Sequence, residues 1–323
     1  MFSVFKLRCC LLLLCCLVTL NACTDHAGVS QKQFYTWDGL EPDRWSSVWL
    51  IKRHVDPTAQ ISIVPVGARM QGAEAIATID SSIKRSHGKS NYENLLAAYK
   101  KAQDPVLTKI GDIINELEIS PWSGSSPLTT VVEDQFRNLQ YKYNRVDVPI
   151  ACYSGFFDAL YNVLENSAED LAAVTNALQA DTICRSLKEA VASKSNVPVL
   201  EYSTKHVLDL IHANKKVVFV DTREDDEFDE RHIPGAINIK LRDVDDSVSA
   251  QFADADLVIA YCIKDFRGYE VALALSKVGV KNTGIMNPFG LKGWMDTGLP
   301  VTDAKTSDAV ALEQLKLRAA QGV

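Results

Sequence analysis

Leu257-Val-Ile-Ala-Tyr-Cys262-Ile-Lys-Asp-Phe-Arg267-Gly-Tyr-Glu-Val-Ala-Leu-Ala-Leu275 decides the fold of the C-terminal half. The apolar run 257–261 reads as a strand buried on both faces. Val271, Ala274, Leu275 and Val278 then recur at helical spacing. Strand, short loop and helix in this order predict a parallel sheet covered by helices. Such sheets bind ligands beyond the carboxyl ends of their strands, where Cys262 falls. The next helix turns its positive end and unpaired N–H groups on the loop, a setting for an anion. That field is expected to lower the thiol pKa and favour the thiolate. Lys264 and Arg267 add positive charge, and Arg267 is able to grip an oxyanion with two parallel bonds.

Around this core, residues 217–221 form a second buried-strand run, with acidic and turn-forming residues between the two strands. The alternating strand and helix pattern spans 199–302 and predicts an α/β domain. Residues 303–323 form a tail, either frayed or helical through Val310, Leu312 and Leu315. Upstream, 35–165 reads as a mostly helical α+β domain. Tyr92, Leu95, Leu96 and Tyr99 fall on one helical face, and Val106, Ile110, Ile113 and Leu117 on another. Phe156, Leu160, Val163 and Leu164 mark a third helix, and residues 121–127 a turn-rich break. The runs 48–51 and 61–64 read as short strands. Residues 166–198 read as a helical linker ending in a turn-rich stretch at 193–198.

The loop resembles that of the rhodanese-like sulfurtransferases: a cysteine, four residues, then an arginine, matched by Cys262 and Arg267. Val218-Phe-Val-Asp221-Thr-Arg223-Glu224 resembles that family's first core strand. Glu227-Phe228 through His232-Ile-Pro-Gly235-Ala-Ile-Asn238 resembles its approach motif. Gly290-Leu-Lys-Gly293-Trp294, with Gly298-Leu-Pro300, resembles its C-terminal signature. The resemblance implies double displacement. The Cys262 thiolate takes sulfur from a small anion such as thiosulfate, becomes a persulfide, and passes the sulfur to a thiol acceptor. Ile263, Lys264, Asp265, Phe266 and Gly268 would form the binding loop. Asp221 and Arg223 would support it as a charged network, and His232 reads as structural. Two positions depart from the family: Asp265 replaces the usual glycine and puts a negative charge beside the anion cradle, and Gly268 replaces the usual Ser or Thr.

Asp43-Arg44-Trp-Ser-Ser-Val-Trp49-Leu50-Ile51-Lys52-Arg53-His54-Val55-Asp56-Pro57 resembles the signature of the chromate-resistance proteins. Ser86-His87-Gly88 and Phe157-Asp158-Ala159-Leu160-Tyr161 resemble two later motifs of that family. A Cys-Pro pair common there is Ser47-Val48 here. Arg53 and His54, with His87, form a candidate anion site; a solvated basic edge is the alternative. The histidines are scattered, and the chain after residue 22 has no His-x-x-x-His or Cys-x-x-Cys, so no metal and no cofactor are expected.

The 323 residues are 47% hydrophobic and 23% charged, which excludes disordered and fibrous classes. With a net charge of −7, the chain does not read as a nucleic-acid binder. Residues 9–20 are an apolar run preceded by Lys6 and Arg8, the layout of a secretory signal over 1–22. Leu20-Asn21-Ala22-Cys23 resembles the bacterial lipobox, which implies lipidation of Cys23 and a tether over 23–34. The expected location is the cell envelope, periplasm-facing and anchored to membrane. Thr24 favours the outer over the inner membrane under that family's sorting rules. Cys152, Cys184 and Cys262 then remain, and the first two either pair or stay as separate thiols.

Two principal functions compete: a thiosulfate sulfurtransferase-like enzyme, and a non-catalytic lipoprotein that binds or senses an oxyanion or a partner on a rhodanese scaffold. Asp265 and Gly268 favour the second. A third reading is a redox protein cycling a disulfide that includes Cys262.

Overall fold

The computed structural model describes residues 31–86, 88–146, 148–167, 170–184 and 199–321. The expected signal segment, Cys23, His87 and the stretch 193–198 lie outside the described residues.

The N-terminal half builds a small parallel sheet and packs helices on it. β1 (Gln33–Trp37) lies between β2 (Gln60–Val64) and β3 (Glu74–Ala75), parallel to both. After β1 comes α1 (Pro42–Leu50), which runs into a π-helical turn over Ile51–Val55. The stretch 48–51, expected as a strand, is therefore helical. Pro42 opens the helix where its missing N–H costs nothing. Trp45, Val48 and Trp49 then fall at i, i+3 and i+4, all buried. α2 (Asn91–Ala98) begins at a capping box of Ser90 and Glu93. α3 (Pro105–Glu118) is capped by Asp104. α4 (Pro127–Lys142), α5 (Ile150–Ser167), α6 (Leu171–Ala177) and α7 (Ala180–Ile183) complete this half.

Asp43 explains part of the tryptophan-rich motif. It is fully buried and accepts from the Asn91 and Tyr92 backbone N–H groups at 3.0 and 2.9 Å. The motif thus holds the start of α2 against α1.

The C-terminal half contains β4 (Leu200–Ser203), α8 (Thr204–His212), β5 (Val217–Asp221) and α9 (Asp225–Glu230). It continues through β6 (Arg231–His232), β7 (Ile237–Asn238), β8 (Leu257–Tyr261) and α10 (Phe266–Lys277). β9 (Thr283–Asn287), α11 (Gly290–Asp296), β10 (Thr302–Asp303) and α12 (Asp308–Gln321) close it. Five strands form one parallel sheet in the order β4-β9-β8-β5-β7. β8 is central and buried throughout, as its unbroken apolar run predicts. The tail forms α12, but it buries Ala311, Leu315 and Ala319 and leaves Val310 exposed.

Lys32–Val323 form a single packed unit. One apolar core runs through both halves, and Phe266 of α10 meets Phe136 of α4 edge-on. Residues 170–184, expected as part of a linker, pack on α4 and α5, burying Val174 and Leu178. A disulfide joins Cys152 in α5 to Cys184 after α7, with the Cα atoms 5.3 Å apart. The cysteines are 32 positions apart, and a crosslink over such a loop stabilises by about 3–4 kcal/mol in the chain-entropy account. Replacing Cys152 and Cys184 together by alanine is expected to lower unfolding stability by about that amount, read as a lower urea midpoint.

Candidate active site

Cys262 follows the last residue of β8, at the carboxyl edge of the sheet. The next four residues turn the chain into α10, with Asp265 at the helix N-cap. Asp265 makes no capping bond. The helix's first N–H groups therefore need other acceptors, and the Gly268 N–H acts on the Cys262 thiol in favour of its charged form. Gly268 leaves no room for the usual Ser or Thr: a Cβ there would lie 2.8 Å from the Tyr261 Cα.

The loop is braced from behind by the Gly290-Leu-Lys-Gly293-Trp294 signature. The Leu291 N–H donates to the Cys262 carbonyl and the Lys292 N–H to the Ile263 carbonyl, both at 2.9 Å. Only glycine fits at Gly290, where φ is +63° and a Cβ would lie 1.7 Å from the Lys264 carbonyl oxygen.

Arg267 does not present an empty fork. Its Nη1 and Nη2 donate to the two Glu227 oxygens at 2.8 and 3.0 Å, and its Nε lies 3.8 Å from Glu41. These partners hold its charge on, and Arg267 in turn holds Glu227 well below the usual carboxylate range despite burial. Asp221 and Arg223 form a buried pair, Nη2 to Oδ2 at 2.7 Å, and the Arg223 Nη2 also donates to the Arg231 carbonyl. His232 stacks on Phe228 with ring centroids 3.9 Å apart, its Nδ1 2.9 Å from the Phe228 carbonyl.

The remaining loop side chains face the N-terminal half rather than a ligand. Asp265 is fully buried, accepts from Arg137 of α4, and lies 2.7 Å from Arg145 Nη1. Its expected negative charge beside the anion cradle is therefore neutralised. These arginines hold its carboxyl below the usual range although burial pushes it up. Arg137 also donates to Glu133 Oε1 at 2.8 Å and lies 4.7 Å over Phe266. Lys264 Nζ donates to Glu133 Oε2 at 2.9 Å. Ile263 and Phe266 are buried in the core.

Cys262 is only 4% exposed. It shares a cavity of ≈ 10 Å³ with Glu41 and Glu118 of the N-terminal half and with Lys264 and Arg267. Burial pushes its thiol up, outweighing Arg267 and the Gly268 N–H. The expected lowering of the cysteine pKa is overturned because the helix field acts on a group cut off from water. Glu118 sits beside it with its carboxyl raised to about 8 by burial and by Glu41 and Asp43, against the pull of Arg85.

Of the candidate anion site, the described members Arg53 and His54 have partners within the N-terminal half. Arg53 donates to Asp158 at 2.9 and 2.6 Å, and Trp49 Nε1 donates to the same carboxylate at 2.8 Å. His54 packs against the Trp49 and Tyr161 rings, and burial lowers its pKa. The basic run is thus paired with the later Phe157–Tyr161 motif.

The residues that surround the loop from the N-terminal half, Glu41, Glu118, Glu133, Arg137 and Arg145, carry no local sequence signal. Glu227 does, since it stands in the approach motif.

Residues 34–164 match the family model of the ChrB C-terminal domain, and residues 203–297 match that of the rhodanese-like domain. The chain joins a ChrB C-terminal domain to a rhodanese-like domain. Over 96 residues it is 27% identical to YtwF of Bacillus subtilis (strain 168), whose name carries a provisional sulfurtransferase assignment. That match covers 30% of this chain and 90% of YtwF. The BH2092 protein of Bacillus halodurans is 20% identical, over 32% of this chain and 76% of that one, with a TM-score of 0.29. A thiosulfate sulfurtransferase of Pseudomonas aeruginosa is 22% identical, over 36% of this chain and 24% of that one, with a TM-score of 0.28. Scores this low add nothing to the family matches.

Arg137→Ala should leave Asp265 with one cation and uncover Phe266. Removing one partner from a buried ion pair costs about 3–5 kcal/mol. The expected result is a lower urea midpoint together with faster alkylation of Cys262.

Glu270, partly buried in α10, gives a pH test. Its carboxyl is raised from 4.5 to about 8 by burial, Glu41 and Asp38, with Arg44 opposing. The folded chain then holds this proton more tightly than the unfolded chain. Its contribution is full below pH 4.5 and is lost as pH rises toward about 8. Glu270→Gln should remove part of the fall in thermal midpoint over that range, and an unchanged fall would count against the burial.

Proposed function

We propose that this chain is a membrane-anchored sulfurtransferase that carries sulfane sulfur as a persulfide on Cys262. The observation that carries the reading is the Cys262 sulfur at the carboxyl edge of the sheet, in one cavity with Arg267 at the start of α10. A sulfur held there has a dipole and a cation ready for negative charge. With thiosulfate as donor, the Cys262 sulfur attacks the outer sulfur and the new S–S bond forms. The old S–S bond breaks, and its electron pair leaves with sulfite. An acceptor thiolate then attacks the outer persulfide sulfur, and the Cys262 thiolate is released.

Arg267, held by Glu227, serves as fixed charge beside the sulfur rather than as an open clamp. The ChrB-type half acts as the cover of the loop, so donor and acceptor exchange requires it to shift. Lipidation at Cys23 would anchor the chain on the periplasmic side, preferentially at the outer membrane, and the Cys152–Cys184 disulfide fits an oxidising compartment.

A second reading is favoured by one observation, the burial of Cys262 beneath the N-terminal half. In that reading the rhodanese-type half is a scaffold, and the chain binds or senses an oxyanion or a partner.

Intact mass after incubation with thiosulfate separates the two. The full-length chain is expected to gain one sulfur, lost on adding a thiol and absent in Cys262→Ser. Arg267→Ala should load about 100-fold more slowly. A wild-type chain that gains no sulfur from thiosulfate or from a small persulfide would favour the scaffold reading. Cys23→Ala is expected to move the chain from the membrane to the soluble fraction.

A further inference from the structure

Glu118 is the last residue of α3, where the helix dipole disfavours a negative charge. Its Oε2 accepts from Arg85 at 2.8 Å. Its Oε1 is buried and has no hydrogen-bond partner among the described residues. The side chain lines the same small cavity as Cys262. An unpaired buried carboxyl oxygen is costly and is seldom left so. The cavity it shares also holds a thiol that the sulfur-transfer reading needs to deprotonate.

We propose that Glu118 exchanges a proton with Cys262 during sulfur transfer, so that the N-terminal half supplies one catalytic group and the C-terminal half the nucleophile. This rests on the sulfurtransferase reading. In the first step the Cys262 S–H bond breaks and its proton passes to Glu118 Oε1. The sulfur's electron pair forms the bond to the donor's outer sulfur, and sulfite leaves with the pair of the broken S–S bond. The protonated Glu118 then donates a hydrogen bond to the outer persulfide sulfur. When an acceptor thiolate takes that sulfur, the pair of the Cys262–S bond stays on Cys262, and Glu118 returns the proton.

The cavity agrees with this in size. At ≈ 10 Å³ it has room for about one water-sized atom, which matches the outer sulfur and nothing larger. The surroundings agree in charge. Arg85, Asp43 and Glu41 face Glu118 from the segments at α1 and α2, and Arg267 and Lys264 face the cavity from the loop and α10. Burial pushes both groups upward, so the ionised fraction of Glu118, whose carboxyl is raised to about 8, holds a proton taken from the thiol at little cost.

The test uses the full-length chain and Glu118→Gln, with Glu118→Asp as the variant that keeps the carboxyl. Ultraviolet titration of the Cys262 thiolate, with Cys262→Ser as the blank, reads the coupling without any sulfur transfer. Removing a carboxylate beside the thiol should move the thiolate transition down by about one pH unit in Glu118→Gln. Glu118→Asp should restore part of the shift. Sulfur loading from thiosulfate, followed by mass, should slow by about 100-fold in Glu118→Gln and recover partly in Glu118→Asp. An unmoved titration, or a moved titration with wild-type loading speed, overturns the proposal. A wild-type chain that never loads sulfur overturns the sulfurtransferase reading, and any role for Glu118 in transfer with it; the titration then separately decides whether the two groups share a proton.

Discussion

The buried carboxylate of Asp265, facing Arg137 and Arg145, is the constraint from which the active loop and the domain arrangement follow. A charge without solvent is tolerated only when paired, and both cations come from the other half of the chain. Arg137 in turn needs Glu133, and Glu133 takes Lys264 from the loop. The ionic chain therefore closes on itself across the boundary between the two halves. Neither half completes it alone. The aromatic rings of Phe266 and Phe289 lie under the Arg137 guanidinium and exclude water from it.

The same closure sets the state of the Cys262 thiol. A helix N-terminus and an arginine both favour a thiolate, and in an open loop they would prevail. Here the cover formed by Glu41 and Glu118 removes water, and desolvation becomes the largest influence on Cys262. Arg267 meets an analogous fate. Its two-pronged face, suited to an oxyanion, is satisfied by Glu227 before any ligand arrives. The site is thus built to hold and shield a sulfur atom rather than to display an anion cradle.

The signature motifs of the N-terminal half are partners of one another. Asp43 holds the start of α2, and Asp158 gathers Trp49 and Arg53. Arg53, which looks available for anions, is spent on a carboxylate more than a hundred positions away. Toward the loop of the other half this half presents the acids Glu41, Glu118 and Glu133 together with Arg137 and Arg145.

The features legible from residue order are local. The apolar run of β8, the helical spacing after Cys262 and the four-residue gap to Arg267 depend on neighbours within one strand and one turn, so they are legible. So are the helices through Tyr92 and Ile110, whose faces repeat every three or four residues. The stretch 48–51 misled because its apolar run suits a strand as well as a helix, and Pro42 with the tryptophan spacing decided for the helix. The pairing of Asp265 with Arg137 and Arg145, that of Arg267 with Glu227, and the cavity shared by Glu118 and Cys262 arise from packing between distant segments. Those contacts join charged residues that no periodicity links. Their energies depend on how much water the packed halves exclude, and that quantity comes into existence only when both halves are folded together.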